Sequence, residues 1–166
     1  MIFFYVLWSL LIVQRIYELY LSNKHKREMK ILGAIQYDLK GYKFIVVMHI
    51  SFFVCMVIEN LYHGHINQFS YSLFVVFVLA QLLRYWAIVS LGKFWNTKII
   101  VLREVIIIKK GPYKYFKHPN YAAVIIEFFS IPLIFSLYYC AIIFSTLNLF
   151  VLFRRIKIEE KALGLD

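Results

Sequence analysis

The residues best equipped for chemistry lie in two short polar stretches of the C-terminal half. The first, residues 92–121, ends in Gly111-Pro112-Tyr113-Lys114-Tyr115-Phe116-Lys117-His118-Pro119-Asn120-Tyr121, and the second follows the last apolar run and holds Arg155, Glu159 and Glu160. A histidine, an asparagine and several tyrosines beside an apolar run can build a polar pocket at a membrane boundary. Tyr and Trp also collect at such boundaries simply as anchors, which accounts for Tyr115 and its neighbour Phe116 without any further task. Arg155 and Glu159 are four residues apart and share a face if the segment is helical. That spacing fits an ordinary helix pair; it also fits a carboxylate facing a cationic ligand group and a guanidinium facing an anionic one. Spacing alone leaves both open.

The elements that must position these residues are apolar. The chain has 166 residues, 62% of them hydrophobic and 19% aromatic, with a mean hydropathy of +0.70. A soluble domain is about 45–50% apolar, so lipid is the expected solvent. A spanning helix needs about 20 mostly apolar residues, and residues 1–21, 44–62 and 69–91 each qualify. The run 122–153 is long for one span, and Pro132 and Ser136 suggest a hairpin of 122–137 and 139–153 that reverses near residues 136–139. One helix kinked at Pro132 is the alternative.

Charge chooses between them. The net charge is +10, and the cations fall in three blocks: Lys24 to Lys43, residues 92–121 and the tail 154–166. Residues 62–68 contain no Lys or Arg. The positive-inside rule puts all three blocks in the cytoplasm. Only an even number of crossings returns the tail there, so the expectation is an all-α, single-domain integral membrane protein of five spans, N-terminus outside and C-terminus cytoplasmic. Blocks of charge between apolar runs face anionic lipid rather than nucleic acid. Residues 1–21, without a basic leader or a clear cleavage site, read as a retained span rather than a signal peptide. Cys55 and Cys140 lie in apolar runs without metal-ligand spacing, so no metal is expected.

Five acidic or basic residues other than histidine lie in or at the ends of spans. Arg15 and Glu18 can pair on one helix face, and Glu59 reads as an interhelical partner or a snorkelling end. Arg84 and Glu127 border the basic segment and are candidates to support a site there. Val105, Ile106, Ile107 and Ile108 form a β-branched run before Gly111-Pro112, which reads as a short extended segment entering a turn.

Taken together, the block from Gly111 to Tyr121 and the tail Arg155-Ile156-Lys157-Ile158-Glu159-Glu160 resemble the isoprenylcysteine carboxyl methyltransferase family. The family pattern is Gly-x-Tyr, then Arg-His-Pro-x-Tyr, a helical hairpin, and an Arg followed by an acidic cluster. The resemblance covers roughly the C-terminal 75 residues in specific motifs. It implies S-adenosylmethionine (SAM) as methyl donor, with Lys98, Val105, Ile106, Ile107, Ile108, Tyr113, His118, Pro119, Asn120, Tyr121 and Glu159 around it. It also implies that Arg155 holds an anionic oxygen of the acceptor. Lys117 stands where the family has Arg, keeping the charge but losing the bidentate fork. With the chain ending at Asp166, the likeness is to small bacterial members, some of which O-methylate alkylpyrones, and the stretch Gly92 to Ile99 is similar to theirs. The implied partner is a lipophilic or lipidated acceptor in the bacterial cell membrane. A phospholipid amine N-methyltransferase, a non-catalytic scaffold or transport subunit, and the much longer sterol-reductase branch are the competing readings.

Overall fold

A computed structural model describes residues 2–102 and 108–164. Helix α1 runs Ile2–Ile31, α2 Leu39–His63, α3 Ser70–Leu91, α4 Pro119–Ile134 and α5 Tyr138–Ala162. Four of these, α1, α2, α3 and α5, are long and apolar enough to cross a membrane. The chain is thus an all-α integral membrane protein in its main architecture. Large apolar side chains such as Val13, Leu79, Val89 and Phe150 cover the outside of the bundle, as a lipid solvent allows. Helices α1, α2 and α5 outrun their apolar stretches at the basic end. α1 continues ten residues beyond Leu21 because Lys24, Lys26, Arg27, Glu28 and Lys30 are good helix formers that need no burial.

The run 122–153 is a hairpin rather than one kinked helix. Its reversal spans Phe135, Ser136 and Leu137, with Ser136 in the left-handed region at φ 57°. α4 has only 16 residues, about 24 Å at the helical rise, and the backbone groups at the tip, which end both helices, need partners. Helix α2 supplies them. The Glu59 carboxylate accepts from the Tyr139 and Cys140 amides at 3.0 and 2.7 Å, capping the start of α5. The following loop folds over the tip, with the His65 and Asn67 amides donating to the Phe135 and Ile134 carbonyls. Glu59 is therefore a helix cap from a neighbouring helix, not a snorkelling charge. Cys55, Glu59 and Cys140 bring ligand-type atoms within 4.8 Å of one another, which their sequence spacing did not announce.

At the basic end, two three-residue strands pair antiparallel: β1 (Ile35–Tyr37) and β2 (Ile99–Val101), with Gln36 opposite Ile100. Ile99 and Val101 bury their side chains here, whereas Ile108 lies in no regular element and Val105, Ile106 and Ile107 lie outside the described residues. Pro119 opens α4 at a position whose missing N–H costs nothing. The apolar core runs through the bundle around Phe4, Phe52, Met56, Phe128, Ile134 and Phe144.

Candidate active site

A turn of 3-10 helix, Gly111–Lys114, seats the first motif against α3. Gly111 has φ 55°, and a Cβ there would lie 2.0 Å from the Ser90 hydroxyl oxygen. Only glycine meets both conditions. From this turn the chain passes through His118 into α4 and brings Tyr113 and Tyr121 towards the end of α5.

Two side chains of α5 then find Tyr121. The Arg155 Nε donates to the Tyr121 hydroxyl at 2.8 Å, and that hydroxyl donates to a Glu159 carboxylate oxygen. Arg155 also donates to the Thr97 carbonyl at 2.6 Å and is 6% exposed. Among the described residues no carboxylate lies within ion-pair distance of Arg155, and no cation lies within it of Glu159. Glu160 differs: it meets His118 Nε2 at 3.2 Å and Lys117 at 3.8 Å. His118 in turn stacks on Tyr121, with ring centroids 5.4 Å apart.

Two cavities meet at this cluster. The one at the basic end, about 400 Å³, is lined by Lys98, Ile108, Tyr113, His118, Asn120, Tyr121, Arg155 and Glu159. Pro119 is buried at the start of α4 and is not on its wall. Lys98 Nζ donates to Asn23 Oδ1 at 2.7 Å and sits 5.0 Å from the Tyr42 ring centroid; burial, with Lys26 nearby, lowers its ammonium below the usual lysine value. Burial pushes the Tyr113 phenol well up, with Glu159 adding to the shift, so it stays neutral. The second cavity, about 420 Å³, lies inside the bundle between α1, α2, α4 and α5. The walls share Trp95, Asn96, Asn120, Tyr121 and Arg155. Its outer rim includes Ile16, Ile50 and Val54, which are more than half exposed on the lipid side. The Trp8 indole N–H crosses from α1 to the Phe53 carbonyl at 3.1 Å and limits that opening.

Several residues of this site carried no sequence motif of their own. Ser22 on α1 meets Asn96 Oδ1 at 2.8 Å and Thr97 Oγ1 at 2.7 Å, and Asn96 returns a bond to the Ser22 carbonyl. His25 Nδ1 donates to the Trp95 carbonyl at 2.8 Å. These bonds fix the loop whose Thr97 carbonyl holds Arg155. The available signal was a serine and a histidine on the helix that continues past the first apolar run.

Arg84 and Glu127 do not border the basic segment. Each lies about two turns inside the bundle, because α3 runs on to Leu91 and α4 starts at Pro119. There Glu127 accepts from both Arg15 and Arg84, and Glu18 accepts from Arg15 at 2.7 Å and Arg84 at 3.2 Å. Gln81 donates to Glu127 at 2.6 Å, and Gln14 donates to Gln81 and Glu18. Two cations and two anions thus cancel inside the membrane, the condition under which buried charge is tolerated.

The model of the isoprenylcysteine carboxyl methyltransferase family matches residues 72–164, which include the whole cluster. The chain belongs to that family. It is 41% identical to the uncharacterized protein YpbQ of Bacillus subtilis, over 96% of each chain. It is 30% identical to an uncharacterized protein of Haemophilus influenzae, over 99% of this chain and 96% of the relative. No solved structure matches it. In this family member, α3, the turn at Gly111 and the hairpin of α4 and α5 fall within the match, while α1, α2 and most of the intramembrane cavity lie ahead of it.

Proposed function

We propose that this protein is a SAM-dependent O-methyltransferase that acts on a carboxylate or enolic hydroxyl of a lipophilic acceptor dissolved in the membrane, isoprenylcysteine-like or alkylpyrone-like. The observation that carries the reading is the pair of uncompensated charges Arg155, at the junction of the cavities, and Glu159, in the one at the basic end. Arg155 is buried and Glu159 half-buried, a charge held out of water without a counter-charge is costly, and a ligand bearing the complementary charges relieves both.

The cavity at the basic end suits the donor. Glu159 would hold a cationic group, and the aromatic faces of Tyr113 and Tyr121 favour a sulfonium. Among the described residues, the buried Asn120 Oδ1 and Trp95 Nε1 have no hydrogen-bond partner, and both residues line this cavity. When bound, SAM supplies a methyl group on a sulfonium, which the acceptor oxygen takes through a lone pair while the S–C electrons stay on sulfur. Arg155 would hold the acceptor oxygen in its anionic form, so no base is required. Tyr121 fixes the guanidinium, and positioning supplies much of the rate. The acceptor would enter from lipid past Ile16, Ile50 and Val54, and the basic end would face the cytoplasm, where the donor is dissolved. Arg155 favours this reading over an amine N-methyltransferase insofar as it meets the reacting atom itself, since a guanidinium stabilises an anionic oxygen and does nothing for the lone pair of an amine.

The test is to incubate membranes carrying the protein with radiolabelled SAM and extract the lipids. A labelled lipid formed by wild type and absent with His118→Ala supports the reading. Unchanged methylation by Arg155→Ala would remove the anionic acceptor and leave the amine reaction.

A further inference from the structure

The intramembrane cavity is walled mainly by aliphatic and aromatic side chains, yet Arg15, His49, Arg84 and Asn148 reach its wall. The two arginines are neutralised by Glu18 and Glu127. The other two are not so occupied. Asn148 is 1% exposed, and among the described residues its amide nitrogen has no hydrogen-bond partner. His49 Nδ1 lies 2.8 Å from the Ile45 carbonyl; a carbonyl only accepts, so Nδ1 carries the hydrogen and Nε2 of the neutral ring offers a lone pair.

The packing puts these groups at one depth. α2 and α5 run antiparallel, and the Phe52 and Phe144 rings touch with centroids 5.5 Å apart. His49 is three residues from Phe52 towards the basic end, and Asn148 is four from Phe144 in the same direction. Asn148 and Arg155 are seven residues apart on one face of α5, which is about 10 Å along the axis.

Resting on the methyl-transfer reading, we infer that His49 and Asn148 form a second polar subsite of the acceptor cavity. The acceptor then carries an uncharged hydroxyl, carbonyl or amide group about 10 Å from the oxygen that is methylated, so it shares the isoprenylcysteine-like or alkylpyrone-like head group but not an all-hydrocarbon isoprenyl or alkyl tail. A donor on one wall and an acceptor on the other match such a group. A plain hydrocarbon tail would leave both unmet in apolar surroundings, which is unfavourable. A second charge on the ligand is not called for, because the ion network beside the subsite is already balanced.

Native membranes incubated with trideuteromethyl-SAM give the product for high-resolution mass spectrometry. The expected product has an oxygen or nitrogen in its tail, outside the methylated head group. In lipid nanodiscs, with lipid extract from cells lacking the protein as acceptor, Asn148→Leu should raise the acceptor KM about tenfold, the loss of roughly one hydrogen bond. Its kcat and donor affinity should stay unchanged. A product tail of hydrocarbon only, or an unchanged KM, overturns the subsite while leaving methyl transfer standing. No labelled product from wild type overturns both. Should Asn148→Leu fail to fold, the composition of the wild-type product decides.

Discussion

Arg155 and Glu159 stand one turn apart on α5 without forming an ion pair with each other, because the Tyr121 hydroxyl lies between them, accepting from the first and donating to the second. An Arg and a Glu at this spacing on a free helix would pair directly. The phenol keeps them apart and leaves the guanidinium at the junction of the cavities and the carboxylate in the outer one.

Tyr121→Phe removes the bridge while keeping the ring. Arg155 and Glu159 are then free to close on each other, satisfying the charges that the ligands are meant to meet. The expected outcome is a fall in both donor affinity and turnover, each by at least about tenfold, with the folded protein intact. Calorimetry with SAM and a labelled-lipid assay read the two effects, and a variant with wild-type values in both would exclude the bridging role.

The adjacent acidic residues should behave differently. Glu159→Gln is expected to weaken donor binding by about 1.5–3 kcal/mol, the worth of a hydrogen bond to a charged group. Glu160→Gln should change it little, since Glu160 is occupied by His118 and Lys117. Titration of both variants with SAM makes the comparison; equal losses would contradict the division of roles.

Gly111→Ala tests the seat of the motif. The positive φ costs about 1 kcal/mol for a residue with a Cβ, and the clash with Ser90 adds to it. Thermal unfolding in detergent should show a lowered midpoint. Ser90→Ala in the same chain should recover only part of it, because the Ser90 Cβ and the Trp86 indole nitrogen also lie 2.9 Å from the added atom.

Within the ion network, Glu127→Gln leaves two guanidiniums sharing one carboxylate and is expected to destabilise the bundle by about 3–5 kcal/mol. Replacing Glu127 and Arg84 together by Gln and Met restores the balance and should lose less than the single change. Unfolding of the single and double variants in the same detergent settles the sign.

How much of this was legible in the residues alone follows physical lines. The hairpin was readable from Pro132, Ser136 and the charge blocks, because length and charge asymmetry act on each segment separately. Arg155, His118, Tyr121 and Glu159 were singled out by the resemblance of their two short blocks to the family motif, and within each block the pair lies about one helical turn apart. The long-range pairings were not: Ser22 with Thr97, Arg15 with Glu127, and Glu59 with the start of α5 join residues between 75 and 112 positions apart. The pairing of Ile35–Tyr37 with Ile99–Val101 was not legible either, since strands this short form only where a partner segment lies alongside. Burial of Arg84 and Glu127 was missed for a related reason, as neither helix end can be fixed without the turns that follow or precede it.

The gap rimmed by Ile16, Ile50 and Val54 opens onto hydrocarbon. Whatever enters there is counted in molecules per lipid rather than per litre. Saturation would then follow surface dilution: adding inert lipid at fixed total acceptor should slow the enzyme, while diluting the whole suspension with buffer should leave the rate per protein unchanged.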